Sequence, residues 1–299
     1  MMDAVMAVAG SWLLPAALWL IMFSMGLSLT VRDFRHIVVN SRAFLLGVGS
    51  MILLVPIAGV ALAAAFAPTP ALMMGLVLLA TCPGGILSNL MTDLARGNVA
   101  LSLSMSLFVS LIYVFTLPYT ASIALHLIFA QEQAIAIPTG DALAKIMMVT
   151  VIPVAVGMLV NRLAARIAQR IEPTIKSAAT IVLVTVFALI VAQEWATIAS
   201  SFGVVLAIVV AMNVVNLGLA FLVSWAGGIR RPERVAIAME HIVRQEGTAI
   251  FVAVSLLHRN DMSLPMIINT FIGMAIGIPA VSWLRRRAAA PHLRPETAA

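Results

Sequence analysis

The chain of 299 residues contains a single cysteine, Cys82, which excludes a disulfide within the chain and any site built from several thiolates. Charge is also scarce. Asp, Glu, Lys and Arg make up 10% of the residues, against about 25% in an ordinary soluble domain. No Gly-rich phosphate cradle, catalytic carboxylate pair or nucleophile triad is visible, so nothing supports an enzyme. What is abundant is apolar surface: 62% of the residues are hydrophobic and the mean hydropathy is +1.09. That composition describes a membrane protein. A crossing takes about 20 apolar residues, so the length accommodates about eight to ten spans and leaves no room for a separate soluble domain. The formal charge of +6 would point to nucleic acid in a soluble protein; here the placement of the basic residues matters more than their sum.

Hydropathic runs predict an all-α polytopic protein with nine spans: Ser11 to Leu29, Ala43 to Phe66, Ala71 to Ala95, Val99 to Ile128, Ala142 to Val160, Ser177 to Ala192, Ser201 to Ala226, Val235 to Leu257 and Leu264 to Leu284. The first ten residues lack a basic n-region, so the first run reads as a retained helix. Arg32, Arg35, Arg42, Arg96, Arg162, Arg166, Arg170, Lys176, Arg230, Arg231, Arg234 and Arg285 to Arg287 all follow odd-numbered runs. Short cytoplasmic loops collect Lys and Arg, so this sorting predicts an outside N-terminus and a cytoplasmic C-terminus in a cell (inner) membrane. Residues 288–299 read as a disordered tail.

Two runs carry unusual interiors. The third contains Thr81-Cys82-Pro83-Gly84-Gly85-Ile86-Leu87-Ser88-Asn89, where a proline and two glycines together predict that the helix stops near Cys82 and restarts near Leu87. The eighth contains Glu240-His241-Ile242-Val243-Arg244-Gln245-Glu246-Gly247-Thr248. Charges at such depth are costly and mark function. Interrupted helices expose backbone groups that must be covered by protein or line a cavity. Each run is the third of a four-span set separated by one odd span, the hydropathy pattern of inverted repeats in secondary transporters. The first repeat covers 11–128 and the second 142–284.

The chemistry of these positions follows from their donors. A hard cation such as sodium takes oxygen ligands, and Ser88, Asn89, Ser102, Ser106 and Glu240 can form one oxygen cage, with Ser102 and Ser106 on a common helical face. The bland alternative is that these side chains only bond neighbouring helices. An anion prefers a helix start, and the Leu87 and Ser88 amides, the Ser88 hydroxyl and Gln245 are the nominated donors. Close helix packing is the plainer reading of Gly84 and Gly85.

The run Cys82-Pro83-Gly84-Gly85, then Ser88-Asn89, Thr92 and Leu94 to Ser102 (LARGNVALS) resembles the bile acid:sodium symporter family, whose CPGG, SN and LARGNVALS series is highly specific. Phe23 to Leu29 and Glu240 to Gly247 extend the resemblance more weakly over the whole chain. It implies panel and core domains with two crossing broken helices, and it implies that this chain lacks the family's first helix. Residue by residue, it places a first sodium site on Ser88, Asn89, Ser102, Ser106 and Glu240. The second site does not survive the comparison. Relatives carry glutamines where this chain has Met51 and Arg244, and the guanidinium can stand in for the missing ion. Arg244 would share a helical face with Glu240 if the helix is continuous; its plainer reading is a snorkel to the headgroups.

Substrate positions differ as well. Ile86 replaces a threonine, Gln245 an asparagine and Glu246 a serine, and Asn269 resembles a cavity-lining asparagine. Glu246 either pairs with Arg244 or exchanges a proton, and His241 can tune its neighbour Glu240. The expected activity is sodium-coupled symport of a small organic anion, bile-acid-like or a carboxylate, by alternating access with one sodium site. A proton-coupled or sodium-independent carrier or exporter is the alternative, and a non-transporting receptor a more distant one. The expected partners are the anion, sodium and the lipid bilayer, with no nucleic acid; the oligomeric state stays open.

Overall fold

The computed structural model describes residues 8–28, 41–129 and 139–289, and no strand occurs among them. The helices are α1 (Leu14–Ser28), α2 (Ser41–Gly49), α3 (Val55–Phe66), α4 (Pro70–Thr81), α5 (Ile86–Leu94), α6 (Val99–Ile128), α7 (Thr139–Val149), α8 (Val151–Leu163), α9 (Ala165–Gln193), α10 (Trp195–Ala226), α11 (Arg231–Ile242), α12 (Glu246–Phe251) and α13 (Leu264–Ala289). Short π-helical turns run into α1 at Ala9–Leu13, join α2 to α3 at Ser50–Leu54 and extend α12 at Val252–Leu256.

Among the described residues, seven continuous helical stretches are long and apolar enough to cross a membrane: Ala9–Ser28, Arg42–Phe66, Val99–Ile128, Ala144–Leu163, Ala165–Gln193, Ala199–Ala226 and Asn260–Ser282. Pro70–Thr81 and Glu246–Leu256 are shorter apolar helices. The protein is thus an all-helical, multi-pass membrane protein. The third and eighth runs are each divided. α4 stops at Thr81 and α5 begins at Ile86; α11 stops at Ile242 and α12 begins at Glu246.

Local chemistry explains these ends. Thr69 caps α4, its hydroxyl accepting from the Leu72 amide at 3.3 Å, and Pro70 follows at the first helical position. Pro83 then cannot supply the amide that would extend α4. Asn98 caps α6 by accepting from the Leu101 amide at 3.1 Å, while its own amide donates to the Pro232 carbonyl at 2.9 Å, tying the start of α6 to the start of α11.

The sixth run begins earlier than its hydropathy predicts, because α9 starts at Ala165 rather than Ser177. Arg166, Arg170, Glu172 and Lys176 lower the hydropathy of those turns without interrupting the helical backbone. The expected loop from Gln193 to Ser200 shrinks to a break at Glu194, since α10 begins at Trp195. Residues 288 and 289, expected in a disordered tail, continue α13, whereas Arg32, Arg35, 130–138 and 290–299 lie outside the described residues.

Two sets of contacts frame the site. α1 packs extensively on α8 and α9, and Gly26 and Gly157 lie where an added Cβ would strike the facing backbone, the close approach small residues permit in membranes. The broken helices pack on α6, α10 and α13.

Candidate functional site

The two breaks lie against each other. Gly84 and Arg244 form an isolated antiparallel bridge, and the Gln245 amide donates to the Pro83 carbonyl at 2.9 Å. Backbone groups freed by each interruption are therefore partly satisfied by the other.

Beside this crossing, Glu240 from α11 is fully buried and receives three hydroxyls. Ser88 Oγ and Ser102 Oγ each approach Oε1 at 2.6 Å, and Ser106 Oγ lies 2.8 Å from both carboxylate oxygens. Ser88 Oγ also lies 2.5 Å from the Gly85 carbonyl, so its one proton serves either acceptor. Thr92 Oγ1 lies 2.8 Å from the Ser88 carbonyl and 3.2 Å from Ser102 Oγ, its one proton serving either acceptor. Ser102 and Ser106 converge because a spacing of four places them on one helical face. Gly84 makes the approach feasible: a Cβ there would collide with the Glu240 carboxylate.

Asn89 sits one residue further along α5. Its Nδ2 donates to the Gly85 carbonyl at 3.3 Å, while its Oδ1 is buried without a partner. A buried amide oxygen with no donor is costly to maintain. The donor set of three hydroxyls, one carboxylate and one free amide oxygen is entirely oxygen, the chemistry of a hard cation.

Other predicted positions divide between the two sides of the crossing. The helix of Glu240 ends at Ile242 and Val243 is extended (φ −95°, ψ 105°), so the expected shared helical face of Glu240 and Arg244 does not form. Arg244 is 5% exposed; its Nη2 donates to the Ala80 carbonyl at 3.0 Å and its Nη1 has no partner. It thus covers the C-terminal end of α4, where a cation is favoured, and a snorkel to the headgroups is excluded by its burial. It is within ion-pair distance of neither Glu240 nor Glu246. Met51 is buried in an apolar cluster with Met105, Ile237 and Ile242.

Glu246 accepts from Asn269 Nδ2 at 2.6 Å, and Asn269 Oδ1 accepts from Asn213 Nδ2 at 2.6 Å. Of the two roles considered for Glu246, the pairing with Arg244 is not made; its carboxylate is held by this amide relay instead. Asn213, on α10, was not singled out by sequence; a lone asparagine in an apolar run signals a helix contact but not its partner. His241 turns the other way, with Nδ1 2.7 Å from the Ile237 carbonyl and Nε2 3.0 Å from Ser50 Oγ, beside the π-helical turn at Ser50.

Gln245 faces α1. Its Nε2 lies 3.4 Å from Met22 Sδ and its Oε1 is buried without a partner. Leu87 is exposed near the start of α5, whereas the Ser88 amide bonds the Gly85 carbonyl at 3.0 Å and the Ser88 hydroxyl is engaged with Glu240. Ser88 therefore belongs to the oxygen cluster rather than to a free donor set. The side chain of Ile86 lies outside the described residues.

Comparison with known proteins gives a family model, described as the sodium bile acid symporter family, that matches residues 15–201. This span contains Ser88, Asn89, Ser102 and Ser106 and stops before Glu240. An uncharacterized sodium-dependent transporter, YocS, of Bacillus subtilis is 25% identical over 246 residues, covering 82% of this chain and 74% of its own. A probable chloroplastic sodium/metabolite cotransporter of rice, BASS2, is 32% identical over 160 residues, 53% of this chain and 36% of its own. The rabbit ileal sodium/bile acid cotransporter is 28% identical over 159 residues, 53% of this chain and 45% of its own. The chain thus spans about three quarters of the bacterial relative and under half of the other two.

Proposed function

This chain belongs to the sodium bile acid symporter family, and from that premise we propose that it carries a small organic anion, bile-acid-like or a shorter carboxylate, together with one sodium ion by alternating access. The family is one of sodium-dependent transporters rather than enzymes. The observation that carries the reading is the buried Glu240 with three serine hydroxyls and the unpartnered Asn89 Oδ1 beside two interrupted helices. Sodium on these oxygens would occupy the free amide oxygen and offset the buried carboxylate. The anion would be received beside Gln245, which faces α1, with Leu87 and Asn269 as further candidate contacts.

In this reading the chain crosses a cell (inner) membrane nine times, counting each divided helix once, with the N-terminus outside and the C-terminus cytoplasmic. The two halves, 11–128 and 142–284, are inverted repeats, and α1, α8 and α9 form a panel against a core holding the broken helices. Arg244 is the fixed cation that takes the place of a second sodium: it caps α4 at Ala80, and Met51 presents an apolar side chain. Sodium dependence of transport is therefore expected to show a Hill coefficient near one. A value near two contradicts the replacement.

The test is uptake into proteoliposomes under an imposed sodium gradient, using taurocholate and a set of short mono- and dicarboxylates, with choline replacing sodium at fixed pH. Uptake that collapses in choline, and in Glu240→Gln and Asn89→Ala, is expected. Uptake of equal rate in choline would instead favour the sodium-independent or proton-coupled carrier.

A further inference from the structure

Glu246 is the buried carboxylate that the sodium cage does not use. It is 7% exposed, whereas Glu240 is fully buried. Its Oε1 is held by Asn269 Nδ2, and that amide is fixed in turn by Asn213.

The surroundings of Glu246 offer it little countercharge. Its helix, α12, packs on the following π-helical turn, α13, α1, α4 and the 3-10 turn Asn260–Ser263. The described parts of α1, α4 and the π-helical turn contain no ionisable side chain. The 3-10 turn carries Asp261, which is paired with Arg259 at 2.8 Å. α13 contributes the neutral Asn269, and its arginines 285–287 lie sixteen or more positions beyond that residue, about 24 Å along a helix. Cys82, just past α4, lies near Glu246 and Arg244 and touches Tyr113 from α6. The cation next to Glu246 in sequence is Arg244, in the break before α12, and it is engaged with Ala80 rather than paired.

Charge balance at the crossing then depends on Glu246. With His241 counted as neutral and Glu240 and Arg244 as ionised, those two cancel, so an empty crossing is neutral when Glu246 is protonated and carries one negative charge when it is not. Sodium at the cage reverses this: the crossing is neutral only with Glu246 ionised. An unbalanced buried charge is disfavoured in a low-dielectric interior.

We propose that Glu246 is a proton site linked to the sodium cage, releasing its proton into solvent as sodium binds and recovering it when an anion follows. Sodium entry and proton exit leave the crossing's charge unchanged, and the anion's negative charge is then offset by the returning proton. The inference rests on Glu240 as sodium's ligand and adds a second ion to that site. Because binding releases a proton, sodium affinity rises with pH, by up to tenfold per pH unit where the exchange is complete.

The experiment uses the purified full chain in detergent, titrated with sodium chloride against choline chloride. Calorimetry reads sodium binding, and a soluble pH dye in weak buffer reads protons. The wild type is expected to release up to one proton per sodium and to bind sodium more tightly as pH rises. Glu246→Gln and Glu246→Ser are expected to bind sodium with no proton release and a flat pH profile; the serine variant provides a second, smaller neutral side chain. Sodium binding without proton release in the wild type overturns the linkage and leaves the cage intact. Release that persists in both variants assigns the proton to Glu240 and also overturns it. No sodium binding by the wild type, at any pH, overturns the linkage and the cage together.

Discussion

Glu240 holds its place through hydroxyls from two other helices, so each serine carries part of the site. Hydrogen bonds to a charged group contribute about 1.5–3 kcal/mol. Ser106→Ala, which removes the hydroxyl near both carboxylate oxygens, is therefore expected to weaken sodium binding roughly tenfold, about 1.4 kcal/mol. Calorimetric titration checks this, and an unchanged affinity would place sodium elsewhere. Ser102, Ser106 and Glu240 were legible in the sequence because helical spacing and a rare intramembrane acid are local signals. The destinations of Arg244 and Glu246 were not. The first depended on where α11 stops, and a continuous helix would have sent the guanidinium to the wrong face. The second depended on Asn213 and Asn269, 56 positions apart, a pairing that no local pattern specifies.

At the scale of elements, the interruptions control what can meet. Pro83, Gly84 and Gly85 made the first break readable, and the cluster of charged and polar residues from Glu240 to Glu246 marked the second. The residues at the crossing explain why small ones are needed there. Gly84→Ala would drive a methyl group into the Glu240 carboxylate, and overpacking of this kind costs about 1–3 kcal/mol. The variant is expected to lower the melting temperature moderately and to abolish measurable sodium binding; wild-type sodium affinity would show that the carboxylate does not need its observed position. The π-helical turn at Ser50–Leu54 was invisible beforehand, since Ser-Met-Ile-Leu-Leu reads as ordinary apolar helix. Likewise, the charged first turns of α9 resemble a loop when judged by hydropathy, although their helical backbone continues.

For the molecule as a whole, the proposed alternating access would move α1 and its partners α8 and α9 relative to the broken helices. Two side-chain contacts among the described residues illustrate how these bodies meet. Gln245 reaches Met22, and Ser255 Oγ donates to the Gly10 carbonyl at 2.5 Å. A disulfide between Gly10→Cys and Ser255→Cys, in a Cys82→Ala background, is expected to reduce sodium-driven uptake to the choline background and to release it on reduction. Full transport by the oxidised, cross-linked protein would show that this contact persists through the cycle. The central claim, however, concerns the ion that such movement carries. Its most direct test is equilibrium binding of radioactive sodium to the purified chain. The account predicts one sodium per chain in the wild type and none in Glu240→Gln; two sodium ions per chain, or one that survives loss of the Glu240 charge, would contradict it.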